Sequence, residues 1–352
     1  MSACAALCAS LLLPFSAAAD PDRAAFMRLS GSLVEVEASD AAGRIWIGTG
    51  VGVGRERVVT SCHVTRRAES VRVQARGGSR AVSAQSADTE HDLCILLVPG
   101  LPVEPVNLGM AKALGVGQPV WAMGFEGGRA LRTRAGVVRA LHAYDGAQVV
   151  ESTTPFTSGA SGGALFDADG RLVGILTYRL RGDPRSYFSV PVEWFSGRLI
   201  GEQAYTPIAP LDGAPPFWQR TQEHLPYFLR AHRLELGRDW DGLLSLAEEW
   251  CKAESGNAEA WLVRGKSLAE IRDVDAARLA FRHAVALDPV STSAWLALGR
   301  LSAQHGSSEE ALDALSQLHR LNSSLATCLA SAMRPRSAST PPISDLDACS
   351  DI

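Results

Sequence analysis

"TSGASGGALFDADGRLVGILTY", residues 157–178, sets three glycines around one serine, Ser161, and then runs into two apolar stretches that meet at Asp169-Gly170. Glycine loses more backbone freedom on folding than any other residue. A cluster of it is kept where the chain must take a positive φ or let another group come close. A Gly-Ser run on its own marks a turn or a linker. Here the residues that follow alternate around an Asp-Gly turn and predict a β-hairpin, so the glycines lead into a sheet. A serine hydroxyl held at that entry becomes a nucleophile only if a base takes its proton and backbone N–H groups stabilise the oxyanion that forms. The rest of the chain must then supply a histidine and a carboxylate.

Working outward toward the N-terminus, residues from about Ser30 to Phe195 fall into short alternating runs such as "SLVEVEA", "RVVTSCHV" and "SVRVQA", separated by turn residues. That pattern predicts an all-β domain of barrel or sandwich type. Of the eight histidines, seven have surroundings in which a surface or satisfied imidazole is the default: His91 and His142 in the β region, the rest on helical segments. His63 differs, because "GTGVGVGRERVVTSCHV", residues 48–64, reads as a hairpin whose second strand ends on it. Three carboxylates are candidates to orient that imidazole. Asp92 heads the buried run "LCILLV", at a strand entry, whereas Asp88 and Asp145 lie in polar loops. The order His63, Asp92, Ser161 is one of the three known chain orders of a serine triad.

These residues carry a family likeness. "TSCHV", "HDLCIL" and "TSGASGGAL", with "AMGFEGG" and "FSVPVEW" between and after them, resemble the chymotrypsin-fold serine peptidases, most nearly the HtrA (Deg) branch, over residues 30–197. The resemblance implies two six-stranded barrels joined near Gly115 to Pro119, with His63 as general base, Asp92 as its orienter and Ser161 as nucleophile in the cleft between them. It also implies an oxyanion hole from the backbone N–H groups of Gly159 and Ser161. By the same likeness Pro155 lies at the base of the primary pocket, with Phe156, Thr177 and Arg179 lining it. An uncharged base argues against a preference for Arg or Lys. If His63 and Asp92 are hydrogen-bonded, their neighbours Cys62 and Cys94 come within the span of a disulfide, which is expected here; the alternative is two buried thiols. HtrA proteins carry PDZ domains after the protease, and this chain departs from them.

The departure begins at the Pro-rich "YTPIAPLDGAPPFW", residues 205–218. Beyond it the period becomes helical: Trp261 and Trp295, Gly265 and Gly299, and Ala277 and Ala311 each lie 34 residues apart. This resembles the tetratricopeptide repeat, with a degenerate earlier copy carrying Tyr227 and Ala231. The expected fold is therefore multidomain, an all-β double β-barrel of trypsin-like type followed by an all-α tetratricopeptide-repeat solenoid. Its expected segments are a signal peptide at 1–19, the protease domain at 26–200, a linker at 201–223, about three repeats at 224–330 and a disordered tail at 331–352.

The uncharged, small-residue-ended "MSACAALCASLLLPFSAAA" reads as a secretory signal cleaved after Ala19, although it lacks the usual basic start. A periplasmic or secreted, disulfide-permissive location follows. A net charge of -4 gives no footprint for nucleic acid. No integral membrane span, metal or cofactor is expected. The leading functional expectation is a serine endopeptidase acting on protein or peptide substrates, with a peptide or protein ligand held by the repeats. The alternatives are an inactive protease-fold scaffold and a docking module in which the repeats do the work.

Overall fold

The computed structural model describes residues 23–75, 77–128, 130–180, 186–200 and 204–333; the expected signal peptide and all but the first three residues of the expected tail lie outside them. A short helix, α1 (Arg23–Ser30), leads into β1 (Leu33–Ser39), β2 (Ile45–Gly54) and β3 (Arg57–Ser61). One helical turn, α2 (Cys62–Thr65), precedes β4 (Ser70–Ala75), β5 (Gly78–Ala81), β6 (Ala84–Asp88) and β7 (Leu93–Leu97). These seven strands form an antiparallel sheet in the order β5-β4-β1-β2-β3-β7-β6. The next six, β8 (Pro119–Glu126), β9 (Ala130–Tyr144), β10 (Ala147–Ser152), β11 (Ala164–Asp167), β12 (Leu172–Arg179) and β13 (Tyr187–Pro191), close into a barrel.

The expected pair of six-stranded barrels thus holds for the second half. The first half differs: it is a seven-stranded sheet that ends on β5 and β6. A tight reversal through Gly77 and Gly78, at φ of 97° and 111°, adds β5 as an extra hairpin strand at one edge. At the other edge Gln85 of β6 exchanges two 2.8 Å backbone hydrogen bonds with Thr206, so a residue of the expected linker completes the ladder there. An edge row of unpaired N–H and C=O groups is a liability, and this pairing removes part of it.

After α3 (Glu193–Ile200) come α4 (Tyr227–Leu236), α5 (Trp240–Ala253), α6 (Ala258–Glu270), α7 (Val274–Leu287), α8 (Thr292–Gln304), α9 (Ser308–Leu321) and α10 (Ser323–Ala332). The caps repeat with the sequence period. Asp239 and Asp273 cap α5 and α7, Asn257 and Ser291 cap α6 and α8, and each pair lies 34 residues apart. Each side chain accepts a first-turn N–H that has no partner within its helix. The α4–α5 pair extends the array back to Tyr227. Small residues are needed where helices cross: a Cβ on Gly265 would sit 2.4 Å from Phe281.

The stretch expected to be a linker is packed. Phe217 is fully buried against Tyr144, Tyr178 and Trp194, and it joins Phe188 of the barrel and Phe195, just after it, to Phe228, Leu243 and Trp250 of the helices in one apolar core. A buried polar cluster lies beside this core. His142 of β9 places Nδ1 2.7 Å from Glu259 of α6 and Nε2 3.0 Å from Glu151 of β10, with its ring stacked on Phe228. At the far end of the array the Asn322 side chain donates to Val116 O at 2.8 Å, in the loop that enters the barrel. The repeats therefore meet the barrel at two separated places.

Candidate active site

Antiparallel pairing of β3 with β7 sets Thr60 opposite Cys94 and Ser61 opposite Leu93. The residues just beyond, Cys62 and Asp92, are then held together, with Cys62 N–H donating to Asp92 O at 3.0 Å. His63 stands on the helical turn α2 that follows the strand, not on the strand itself. Its backbone N–H donates to Asp92 Oδ1 at 2.7 Å, and its Nδ1 lies 2.6 Å from Oδ2. One carboxylate thus fixes both the peptide and the ring. A carboxylate facing Nδ1 selects the tautomer with its proton there, leaving the Nε2 lone pair available.

Asp92 is buried at 1% exposure while His63 keeps 26% of its side chain exposed. Burial disfavours the imidazolium, but the Asp92 carboxylate outweighs it and holds His63 above its ordinary value. To reach this position Asp92 takes φ of 61°, a left-handed conformation that costs a non-glycine residue on the order of 1 kcal/mol. The same juxtaposition brings Cys62 and Cys94 to a Cα separation of 4.9 Å, and they form a disulfide. Asp88 and Asp145, the two carboxylates set aside by the sequence, both go to His91: Asp88 Oδ2 is 2.9 Å from its Nδ1 and Asp145 Oδ2 2.8 Å from its Nε2.

The glycines around Ser161 now have a cause. Gly159 has φ of 95°, and a Cβ there would sit 2.4 Å from Phe125 O; Gly162 has φ of 83°, and its Cβ would sit 2.1 Å from Thr49 O. The second contact presses the serine loop onto β2 and the end of β3, beside His63. The Ser158 carbonyl accepts from Gly127 N–H and the Ala160 carbonyl from Gly163 N–H, each at 2.8 Å. Because a trans peptide points its C=O and N–H opposite ways, the amides of Gly159 and Ser161 face away from those anchors. Among the described residues neither amide donates to an acceptor, and the Ser161 hydroxyl and His63 Nε2 are not hydrogen-bonded. Such a bond is often long until substrate tightens it.

Three residues escaped sequence reasoning. Thr49, fully buried, ties the loop down: its N–H donates to Ser161 O at 2.8 Å, its hydroxyl donates to Gly159 O at 2.7 Å, and that hydroxyl accepts from Phe125 N–H at 2.8 Å. Its only signal was its place between two glycines. Trp218, in the Pro-rich stretch, stacks on Tyr178 with ring centres 5.0 Å apart and meets the His63 ring edge-on at 5.7 Å. Arg66 reaches the same stretch, donating to Gly213 O at 2.7 Å and Ala214 O at 3.3 Å.

The four residues expected at the primary pocket differ in burial. Phe156 turns into the barrel core against Tyr187, and Thr177 is buried and donates to Ile175 O at 2.9 Å. Pro155 and Arg179 lie on the surface.

Both halves of the chain resemble known proteins. The trypsin-like peptidase domain family matches residues 48–175, and the tetratricopeptide repeat family matches residues 243–291 and 262–324. Serine protease Rv3671c of Mycobacterium tuberculosis is 26% identical over 172 residues, 46% of this chain and 43% of that protein. The chloroplastic Protease Do-like 1 of Arabidopsis thaliana is 29% identical over 179 residues, 47% of this chain and 39% of the relative. A probable periplasmic serine endoprotease DegP-like of Halomonas elongata is 28% identical over 145 residues, covering 39% of this chain and 30% of the relative. This chain thus spans less than half the length of these relatives. Among solved structures, the active form of the Rv3671c protease superposes with a TM-score of 0.48 at 24% identity, covering 58% of this chain and all of that one. Over residues 48–175 the chain is thus similar to trypsin-like peptidase domains, and over residues 243–324 to tetratricopeptide repeats.

Proposed function

We propose that this trypsin-like domain is a working serine endopeptidase, with His63 as general base, Asp92 as its orienter and Ser161 as nucleophile, and that the repeats dock protein substrates or partners. The observation that carries the reading is the double grip of Asp92 on His63, beside a loop whose Gly159 and Ser161 amides, like His63 Nε2, have no hydrogen-bond partner among the described residues.

In the proposed reaction, Nε2 takes the Ser161 proton as Oγ forms a bond to the scissile carbonyl carbon. The carbonyl oxygen becomes an oxyanion that accepts from the Gly159 and Ser161 amides, while Asp92 stabilises the imidazolium. The imidazolium then gives its proton to the leaving amine as the C–N bond breaks. Water, deprotonated by the same nitrogen, releases the acyl group and restores Ser161. A periplasmic or secreted location fits the Cys62–Cys94 disulfide, because such bonds persist in oxidising compartments.

A fluorophosphonate probe tests this without any knowledge of the substrate, since it needs only an activated serine. We expect covalent labelling at Ser161, none in Ser161→Ala, and a loss of orders of magnitude in His63→Ala. Turnover of a cleaved peptide should fall on the order of 10⁴ in Asp92→Asn, which presents the wrong tautomer. A folded wild-type chain that the probe does not label would instead support the inactive scaffold.

A further inference from the structure

A cavity of about 330 Å³ opens beside the proposed base, lined by Trp46, His63, Arg66, Arg67 and Gln219. Trp46 comes from β2, the next three from α2 and the residues just after it, and Gln219 from the stretch that joins the barrel to the repeats. Its volume lies at the lower end of ligand pockets, suited to one or two side chains and not to a large molecule. Its charge is unbalanced. Among the described residues the Arg66 guanidinium is bound to the neutral carbonyls of Gly213 and Ala214, and Arg67 is exposed. Among the described residues neither guanidinium pairs with a carboxylate, Asp212 included, although its neighbour Leu211 donates to Arg66 O at 2.8 Å. Arginines elsewhere do find acids, as Arg220 does with Glu90 and Arg230 with Glu249.

We propose that this cavity is a specificity subsite for an acidic side chain of the substrate, placed within a few residues of the bond that is cut. The inference rests on the peptidase reading and adds to it a substrate class. A guanidinium presents a rigid fork of donors matched to a carboxylate, and Arg66 is already oriented by its two carbonyls, so little ordering is left for binding. The ring of Trp46 offers an apolar wall for the methylenes of a glutamate. The imidazolium that forms on His63 during the reaction adds a third positive charge to the same cavity. Because the carbonyls that hold Arg66 belong to the stretch leading to the repeats, the subsite is complete only while that stretch stays docked.

The test is a peptide library cleaved by the full chain and read by mass spectrometry, followed by two quenched fluorescent peptides that differ only by Glu or Gln at the preferred position. We expect enrichment of Asp and Glu at one position within about three residues of the cut. Glu should exceed Gln about tenfold in kcat/KM at low ionic strength, the size of one partly exposed charge-assisted contact, and the excess should shrink with salt. Arg66→Gln should bring that ratio toward one, and Arg67→Glu should invert it in favour of Gln. Thermal unfolding and fluorophosphonate labelling of each variant separate a lost subsite from a lost fold. A library cleaved with no acidic preference, or a ratio unmoved by both substitutions, would overturn the subsite and leave the peptidase standing. If the chain cleaves nothing and takes no label, the peptidase reading fails. The cavity is then read by fluorescence anisotropy of the same two peptides, fluorescein-labelled, on the Ser161→Ala chain, where equal binding of Glu and Gln overturns it.

Discussion

Thr49 shows how much one side chain decides at this site. Its hydroxyl donates to Gly159 O and accepts from Phe125 N–H, while its own N–H holds Ser161 O. Replacing it with valine keeps the volume and removes the hydroxyl. Two polar groups in the serine loop and β8 are then left without partners, at a cost of roughly 1–3 kcal/mol. The loop loses the contact that sets the Gly159 peptide, which the proposed oxyanion hole needs. Thr49→Val should therefore reduce kcat at least tenfold with little change in KM, and slow fluorophosphonate labelling alongside. Serine at position 49 keeps the hydroxyl and should restore most of both. Equal kcat in wild type and valine variant would show that the loop holds its shape without Thr49.

At the scale of elements, β3 and β7 are the frame on which the proposed base and its orienter hang, and the Cys62–Cys94 disulfide joins them across a sequence separation of 32. Loop-closure entropy for a ring of that size contributes about 3 to 4 kcal/mol. Replacing both cysteines with alanine should lower the urea midpoint correspondingly but preserve labelling of Ser161, because the ladder and the Cys62 N–H to Asp92 O bond still hold His63 against Asp92. Loss of labelling below the unfolding transition would mean that the disulfide itself shapes the site. The elements and this frame were legible because local rules produce them. Alternation marks strands, Asp169-Gly170 turns a hairpin, and caps at Asp239, Asn257, Asp273 and Ser291 start helices with the same 34-residue period as the core tryptophans. The β5 strand was missed because a four-residue hairpin arm carries no alternation to read. Trp218 was missed because a Pro-rich stretch signals only a break in regular structure, whatever its aromatics pack against. The exposure of Pro155 depends on how β10 enters the serine loop, which no local pattern specifies.

For the whole molecule, the repeats and the barrel share buried groups, so the two do not separate at the Pro-rich stretch. His142 was read as an ordinary histidine because its partner Glu259 is 117 residues away and meets it only through docking. Burial opposes charge on this imidazole, but Glu259 and Glu151 outweigh it and raise its pKa to about 10. Burial also opposes the Glu151 carboxylate, and His142, with His232 and Arg139 nearby, outweighs that and lowers it to about 2. The direction with pH follows from these two shifts. A raised imidazole pKa contributes stability that is fully present below its ordinary value of 6.5 and is lost as pH climbs toward about 10. A depressed carboxylate pKa contributes stability that is present above its ordinary value of 4.5 and is lost only as pH falls toward about 2. Docking of the repeats should accordingly be firmest between those ordinary values and weaken through the alkaline range. Differential scanning calorimetry of the full chain should show the unfolding temperature falling steadily from pH 6.5 to 9.5. His142→Gln should be less stable than wild type at pH 6, since it leaves Glu151 and Glu259 facing each other without a cation between them, and its decline over the same interval should be shallower. A wild-type slope unchanged by the substitution would place the alkaline sensitivity outside this cluster.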